Sequence, residues 1–187
     1  MTEDGLHEQV EASSPREPRS WTEIYERFSG PIYSFFLHQL RSREAAEDLT
    51  GGVFLEALQS AHRFRGDLAA MRSWLFRIAR NNLIDHLRRQ RRAVVSTIEA
   101  TREEELARAA PIQDPEGDAL ASLDRQKVHA AIGSLSPDQK EVVLLRLAGG
   151  FTSSEIALIV GKKVGAVKAL QHRAMGSLAK ALAAEGT

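Results

Sequence analysis

The chain has no cysteine among its 187 residues. Disulfides, thiolate zinc sites and thiol nucleophiles are therefore excluded. No apolar run approaches the roughly 18 residues of a membrane span. The first residues, MTEDGLHEQVEASSPREPRS, lack the basic-then-apolar order of a secretory signal. These absences lead us to expect a cytoplasmic protein with no membrane insertion. Aromatic residues are few, at 6%, and mostly fall at core spacing, which argues against a base-stacking RNA platform. No alternation of period two has useful length, and no internal repeat is evident. The expected fold class is all-α.

Catalytic signatures are missing as well. The six histidines are scattered, and no HExxH or paired His–carboxylate spacing occurs. Asp85 and His86 are adjacent, so on a helix they point about 100° apart, which is poor geometry for a dyad. Glu44, Glu47 and Asp48 cluster at a helix start, but no His or Cys joins them, and acids favour that position electrostatically. Gly161-Lys162-Lys163 lacks the first Gly and the Ser/Thr of a phosphate-binding loop. We expect no enzyme, no metal and no cofactor.

Net charge is also lacking: 25 basic residues balance 25 acidic ones. The balance conceals segregation. Basic runs occupy 72–92 and 162–180, and acidic runs occupy 1–17 and 99–118. Two cationic surfaces with acidic connectors suit one polyanion held at two places. The stretch WLFRIARNNLIDHLRRQRR, Trp74 to Arg92, reads as one helix without Pro or Gly. Leu75, Ile78, Ala79, Leu83 and His86 share one face. Arg77, Arg80, Asn81, Ile84, Arg88 and Arg91 share the other. Seven Arg lie between Arg72 and Arg92, against the single acid Asp85. A solvated face usually mixes both signs. A one-sided face with amide side chains suits phosphates and some base contact.

Along the chain, residues 1–20 are polar and are expected to be a disordered tail. Ser20-Trp-Thr-Glu23 forms a capping box, followed by an apolar stripe of Trp21, Ile24, Tyr25 and Phe28. Gly30-Pro31 interrupts the pattern, and Ile32 to Leu40 resumes it with Phe35, Phe36 and Leu40 as core. A helix from Ser42 buries Ala45, Leu49, Val53, Phe54, Ala57 and Leu58, with Gly51-Gly52 in its middle at about 1 kcal/mol per Gly relative to Ala. Residues 93–118, rich in acids and Pro, read as a flexible linker with transient helix over Thr101 to Ala109.

The second half repeats the capping logic. Leu120, Leu123, Val128 and Ile132 fit a helix ending at Gly133. Ser136-Pro-Asp-Gln139 opens the next, with Val142, Val143, Leu145 and Leu147 as its apolar residues and Gly149-Gly150 as its stop. Thr152-Ser-Ser-Glu155 opens a third, bearing Ile156, Ile159 and Val160, with Gly161 as the turn. A last helix runs from about Val164 to Ala183. Two short capped helices around a Gly turn are a helix-turn-helix signature. On the second of them, Val167, Leu170, Ala174, Leu178 and Ala181 face inward. Lys168, Ala169, His172, Arg173, Gly176 and Lys180 face outward. Lys162 and Lys163 sit at its start, where phosphates would be met.

In order, the motifs are Ala46-Glu-Asp-Leu-Thr50 with Val53-Phe54, Phe64-Arg-Gly-Asp67, Trp74-Leu-Phe-Arg-Ile-Ala-Arg-Asn81 and Asp85-His-Leu-Arg-Arg89. Then follow Leu135-Ser-Pro, Glu155-Ile-Ala157 and Val164-Gly-Ala-Val-Lys168 with His172-Arg-Ala174. In this order and spacing the chain resembles the extracytoplasmic-function (ECF) sigma factors, promoter-specificity subunits of bacterial RNA polymerase. The resemblance implies a tail at 1–20, sigma region 2 at 21–92, a linker at 93–118 and sigma region 4 at 119–184. It implies that Glu47, Asp48, Leu49, Val53 and Phe54 bind the β′ clamp helices of core RNA polymerase. Phe64, Arg65, Arg77, Arg80, Asn81, Arg88 and Arg91 would bind the −10 element, with Asn81 at a flipped-out base. Lys162, Lys163, Lys168, Ala169, His172 and Arg173 would bind the −35 element, with region 4 also touching the β flap. The linker would run toward the RNA path. An anti-sigma factor is an implied partner. Gly51-Gly52 replaces the family's Gln and acid, and Ala169-Leu170 replaces its Ser-Arg. A DNA-binding regulator acting without polymerase is the alternative that these residues leave open.

Overall fold

The computed structural model describes residues 20–100, 127–128 and 130–184. The expected tail, most of the expected linker, and Leu120 and Leu123 lie outside the described residues. The elements are α1 (Trp21–Leu40), α2 (Arg43–Ser60), a 3-10 turn at Ala61–Arg63, and α3 (Leu68–Ala100). Helical residues at 127–128 and 130–133, here α4, precede α5 (Pro137–Leu147), α6 (Ser153–Val160) and α7 (Val164–Ala184). No strand occurs among the described residues.

Local chemistry sets most boundaries. Ser20 and Ser42 cap α1 and α2, accepting from the backbone N–H of Glu23 and Ala45 at 3.2 Å each. Each bond satisfies one of the orphan donors of a helix start. Arg41 ends α1 in a left-handed turn at φ 57°. Ser136 and Thr152 close full capping boxes with Gln139 and Glu155.

The interruption expected at Gly30-Pro31 does not occur: α1 runs straight through it. Pro31 lacks the N–H that would bond the Arg27 carbonyl, a loss on the order of 3 kcal/mol. Burial offsets it. Ile32, Phe35 and Phe36 have no exposed surface, and each such side chain contributes about 1.5–3 kcal/mol. The buried side of α2 is also turned from the expected one. Ala46, Thr50, Val53, Phe54 and Ala57 point inward, whereas Leu58 is 53% exposed. Thr50 survives burial because its hydroxyl donates to the Ala46 carbonyl at 2.6 Å. In the second half, Val128 and Leu147 are exposed rather than core. α3 starts before Trp74 and continues past Arg92 to Ala100, so the first part of the expected linker is helical.

One hydrophobic core joins both halves. The rings of Phe35 and Phe76 meet edge-on at 6.0 Å, and Phe76 meets Phe151 of the α5–α6 loop at 5.0 Å. Gly149 makes the last contact possible: a Cβ there would lie 2.4 Å from the Phe151 ring and 2.7 Å from the Leu145 carbonyl. The Arg72 guanidinium lies 4.5 Å above the same ring, a cation–π arrangement. The other edge of this junction brings basic residues of α1 and α5 together. His38 of α1 faces Lys140 of α5. Burial and then the Lys140 charge hold the His38 imidazole below its usual range. Burial and then Arg41 depress Lys140.

Two outcomes follow from this packing. A Cβ on Gly51 would meet nothing within 4 Å, so Gly51→Ala should raise stability by about 1 kcal/mol in chemical denaturation; destabilisation would show that the backbone there requires glycine. His38 binds its proton less tightly folded than unfolded, so its contribution is present above 6.5 and lost as pH falls below it. Wild type should lose stability relative to His38→Gln across that window, as read by thermal melts. Parallel pH profiles would refute the assignment.

Candidate nucleic-acid and polymerase interfaces

The approach to α3 is built by a short loop. Phe64 stacks on Trp74 with centroids 5.0 Å apart and planes 27° apart. Arg65 folds back, donating to the carbonyls of His62 at 3.0 Å and Phe64 at 2.7 Å. Asp67 caps α3 by accepting from Ala70 N–H at 2.8 Å. Leu75, Phe76 and Ala79 are fully buried, and Ile78 and Leu83 nearly so. Those contacts fix the rotation of the helix, so the opposite face must present Arg77, Asn81, Arg88 and Arg91, all exposed. His86 is half-buried on the apolar side, and its Nε2 is shielded without a hydrogen-bond partner among the described residues. Arg88 lies 3.4 Å from Asp85, with both side chains about two-thirds exposed. Such a pair is worth little and leaves the guanidinium available.

Arg80 differs from its neighbours. Its Nε donates to Glu141 Oε1 of α5 at 2.8 Å, with side chains only 23% and 12% exposed. Arg72 behaves likewise, its Nη2 donating to Glu155 Oε1 of α6 at 2.8 Å. Burial pushes the Glu141 carboxyl above the ordinary carboxylate range, against the pull of Arg80. Hydrogen bonds from the Thr152 backbone and hydroxyl hold Glu155 below that range, with Arg72 acting in the same direction. Neither pair was legible in the sequence, where Glu141 carried no motif and Glu155 read as a cap and as part of the Glu155-Ile-Ala157 motif.

The second cationic face lies on α7. Gly161 closes α6 at φ 69°, a conformation that costs a glycine little. Val167 and Ala174 are fully buried, and Leu170 and Leu178 pack against the core. Ser153 of α6 donates to Gln171 of α7 at 2.8 Å, which ties the two helices together. Lys168, Ala169, His172, Arg173 and Gly176 consequently face solvent along one side. Lys163 is exposed, whereas Lys162 is half-buried and bonded to Asp138 at 3.0 Å.

On α2, Glu47 and Asp48 are exposed and Leu49 is half-buried. Val53 and Phe54, expected at the polymerase surface, are instead 0% and 9% exposed and belong to the core. Leu55 and Leu58, at 59% and 53%, are the apolar side chains that α2 offers outward. Leu158 of α6 is 82% exposed, an outward apolar side chain that the sequence reading did not single out. Among the described residues no cluster of His, Cys, Asp or Glu is arranged for a metal, and no helix is long and apolar enough to cross a membrane.

The comparisons with known proteins agree with this layout. The Sigma-70 region 2 family matches residues 24–93, and the Sigma-70 region 4 family matches 125–178. The ECF RNA polymerase sigma factor BldN of Streptomyces coelicolor is 34% identical over 95% of this chain and 66% of its own length. The ECF RNA polymerase sigma factor SigX of Bacillus subtilis is 27% identical over 84% of this chain and 80% of its own. A solved structure of the sigma factor RpoE of Bartonella quintana, in complex with the anti-sigma factor NepR, matches 87% of this chain and 96% of that one. Its TM-score is 0.67 at 26% identity. The chain belongs to the ECF subfamily of RNA polymerase sigma factors.

Proposed function

We propose that this chain binds core RNA polymerase, directs it to promoters through their −10 and −35 elements, and helps to open the DNA. One observation carries the reading: a single core presents two separate cationic helix faces, Arg77–Asn81–Arg88–Arg91 on α3 and Lys168–His172–Arg173 on α7. The α3 face suits a single strand. Its arginines meet phosphates without regard to sequence, and Asn81, an amide among them, can hydrogen-bond an unstacked base. Phe64 and Trp74 already stack on each other at the head of that helix. Trapping bases in this way offsets the few kcal/mol lost on unstacking each, so melting needs no ATP.

The α7 face suits a major groove. It follows a tight glycine turn on a helix-turn-helix, and its small residues, Ala169 and Gly176, let backbone and duplex approach closely. Lys163 stands at the start of that helix to take phosphates, and Lys162 joins it once released from Asp138. Core polymerase is met through α2: Glu47 and Asp48 supply charge for basic partners on the β′ clamp helices, and Leu55 and Leu58 supply apolar area. Val53 and Phe54 support that surface from behind. The exposed Leu158 of α6 suits the β flap. An anti-sigma factor is the regulatory partner, as in the complex of the Bartonella relative. Action on the bacterial chromosome places the protein in the cytoplasm.

Run-off transcription with core polymerase over a promoter library tests the reading; failure to bind polymerase or to initiate would sink it. Asn81→Ala should reduce open-complex formation, read by permanganate footprinting, far more than it reduces core binding. Equal losses would assign Asn81 to folding. Lys168→Ala should weaken promoter binding by about 1 kcal/mol or more and lower the salt slope by about one unit; an unchanged slope would remove Lys168 from the interface.

A further inference from the structure

A cleft between α1 and the start of α3 is lined by none of the residues given to DNA or polymerase above. Its volume is 460 Å³, within the roughly 300–1,000 Å³ of ligand sites. Arg27, Phe28 and Pro31 of α1 form one wall, and Asp67, Leu68 and Ala69 at the head of α3 form the other. Arg72 stands one turn further along, and the Ala148–Gly149 turn closes one side.

The charges around the cleft balance. Arg72 is matched by Glu155 at 2.8 Å. That leaves one guanidinium, Arg27, and one carboxylate, Asp67, both exposed. Neither is held in an ion pair among the described residues. One Asp67 oxygen caps α3 through the Ala70 N–H at 2.8 Å, and the other has no hydrogen bond among the described residues. Two further groups are unmatched. Pro31 has no N–H, so the Arg27 carbonyl lacks its helical donor. Arg72 Nε is shielded from solvent and has no acceptor among the described residues. Donors and acceptors therefore stand together beside an apolar wall. An anion without a cationic group would face Asp67 unpaired, and a cation without an anionic group would face Arg27. A zwitterion with an apolar body matches both.

We propose that this cleft binds a free apolar α-amino acid. Its carboxylate meets Arg27 and Arg72, its ammonium meets Asp67 and the Arg27 carbonyl, and its side chain lies on Phe28, Pro31 and Leu68. Asp67 directly follows the loop that carries Phe64 and Arg65, so an occupied cleft holds the root of that loop. The inference goes beyond promoter recognition.

Heteronuclear NMR titration of the full chain tests it with three probes of similar size. They are L-phenylalanine, phenylpropionate, which lacks the ammonium, and phenethylamine, which lacks the carboxylate. L-Phenylalanine should bind with a dissociation constant of about 1 mM or tighter, with shifts centred on residues 27–31 and 67–72. Each truncated probe should bind about tenfold more weakly, for the loss of one charge-assisted contact. Asp67→Asn, which can still cap α3, should weaken phenylalanine about tenfold and leave phenylpropionate no weaker. Arg27→Gln should weaken phenylalanine by a similar factor and leave phenethylamine no weaker. No shifts at about 10 mM phenylalanine, shifts centred elsewhere, or equal affinity for the three probes overturns the proposal. Equal weakening of all three probes by either variant overturns it as well. The assay contains neither DNA nor polymerase, so failure of the sigma-factor reading would appear in run-off transcription instead.

Discussion

The structure depends on one helix being committed on several sides at once. α3 must bury Leu75, Phe76, Ala79 and Leu83 against α1 and α2. Those contacts fix its rotation. The rotation in turn decides which arginines reach solvent and which reach the second half. Arg77, Asn81, Arg88 and Arg91 fall outward, and Arg72 and Arg80 fall toward Glu155 and Glu141. No separate device aims the basic face, because the core aims it. A core substitution that rotated α3 by one residue, roughly 100°, would misplace the exposed basic face and both ion pairs together.

The Arg80–Glu141 pair is poor as a pure stabiliser. Glu141 is buried enough that its carboxyl is pushed up despite Arg80, the sign of a desolvation cost that the partner does not fully return. Apolar side chains would hold the junction better. What ion pairs supply, and apolar contacts do not, is directional pairing of particular side chains. The junction thus combines a specific geometry with a modest hold.

Legibility in the sequence follows the range of the interactions. The capping boxes at Ser136–Gln139 and Thr152–Glu155 and the glycine turn at Gly161 were legible because each is closed within a few residues. The all-α class and the inward faces of α3 and α7 were legible because burial imprints a helical period. Three features were not. The continuity of α1 through Gly30-Pro31 depends on Phe35 and Phe36 being sealed by other helices. The inward face of α2 is shifted because Leu58 has no neighbour to cover it, while Ala46 and Thr50 do. The junction pairs join residues 61 and 83 positions apart, and the acidic stretch between them made the halves look independent. The linear pattern identified the arginines but not that two of them were already engaged.

The central claim is that the α3 arginines are energetically coupled to the acids of α5 and α6, rather than merely near them. The most direct measurement is a double-mutant cycle of Arg80→Ala and Glu141→Ala on the whole chain, read by thermal denaturation at low and high salt. We expect a coupling of about 1 kcal/mol or more at low salt, reduced as salt screens the partly buried pair. Strictly additive effects at both salt concentrations would contradict the account.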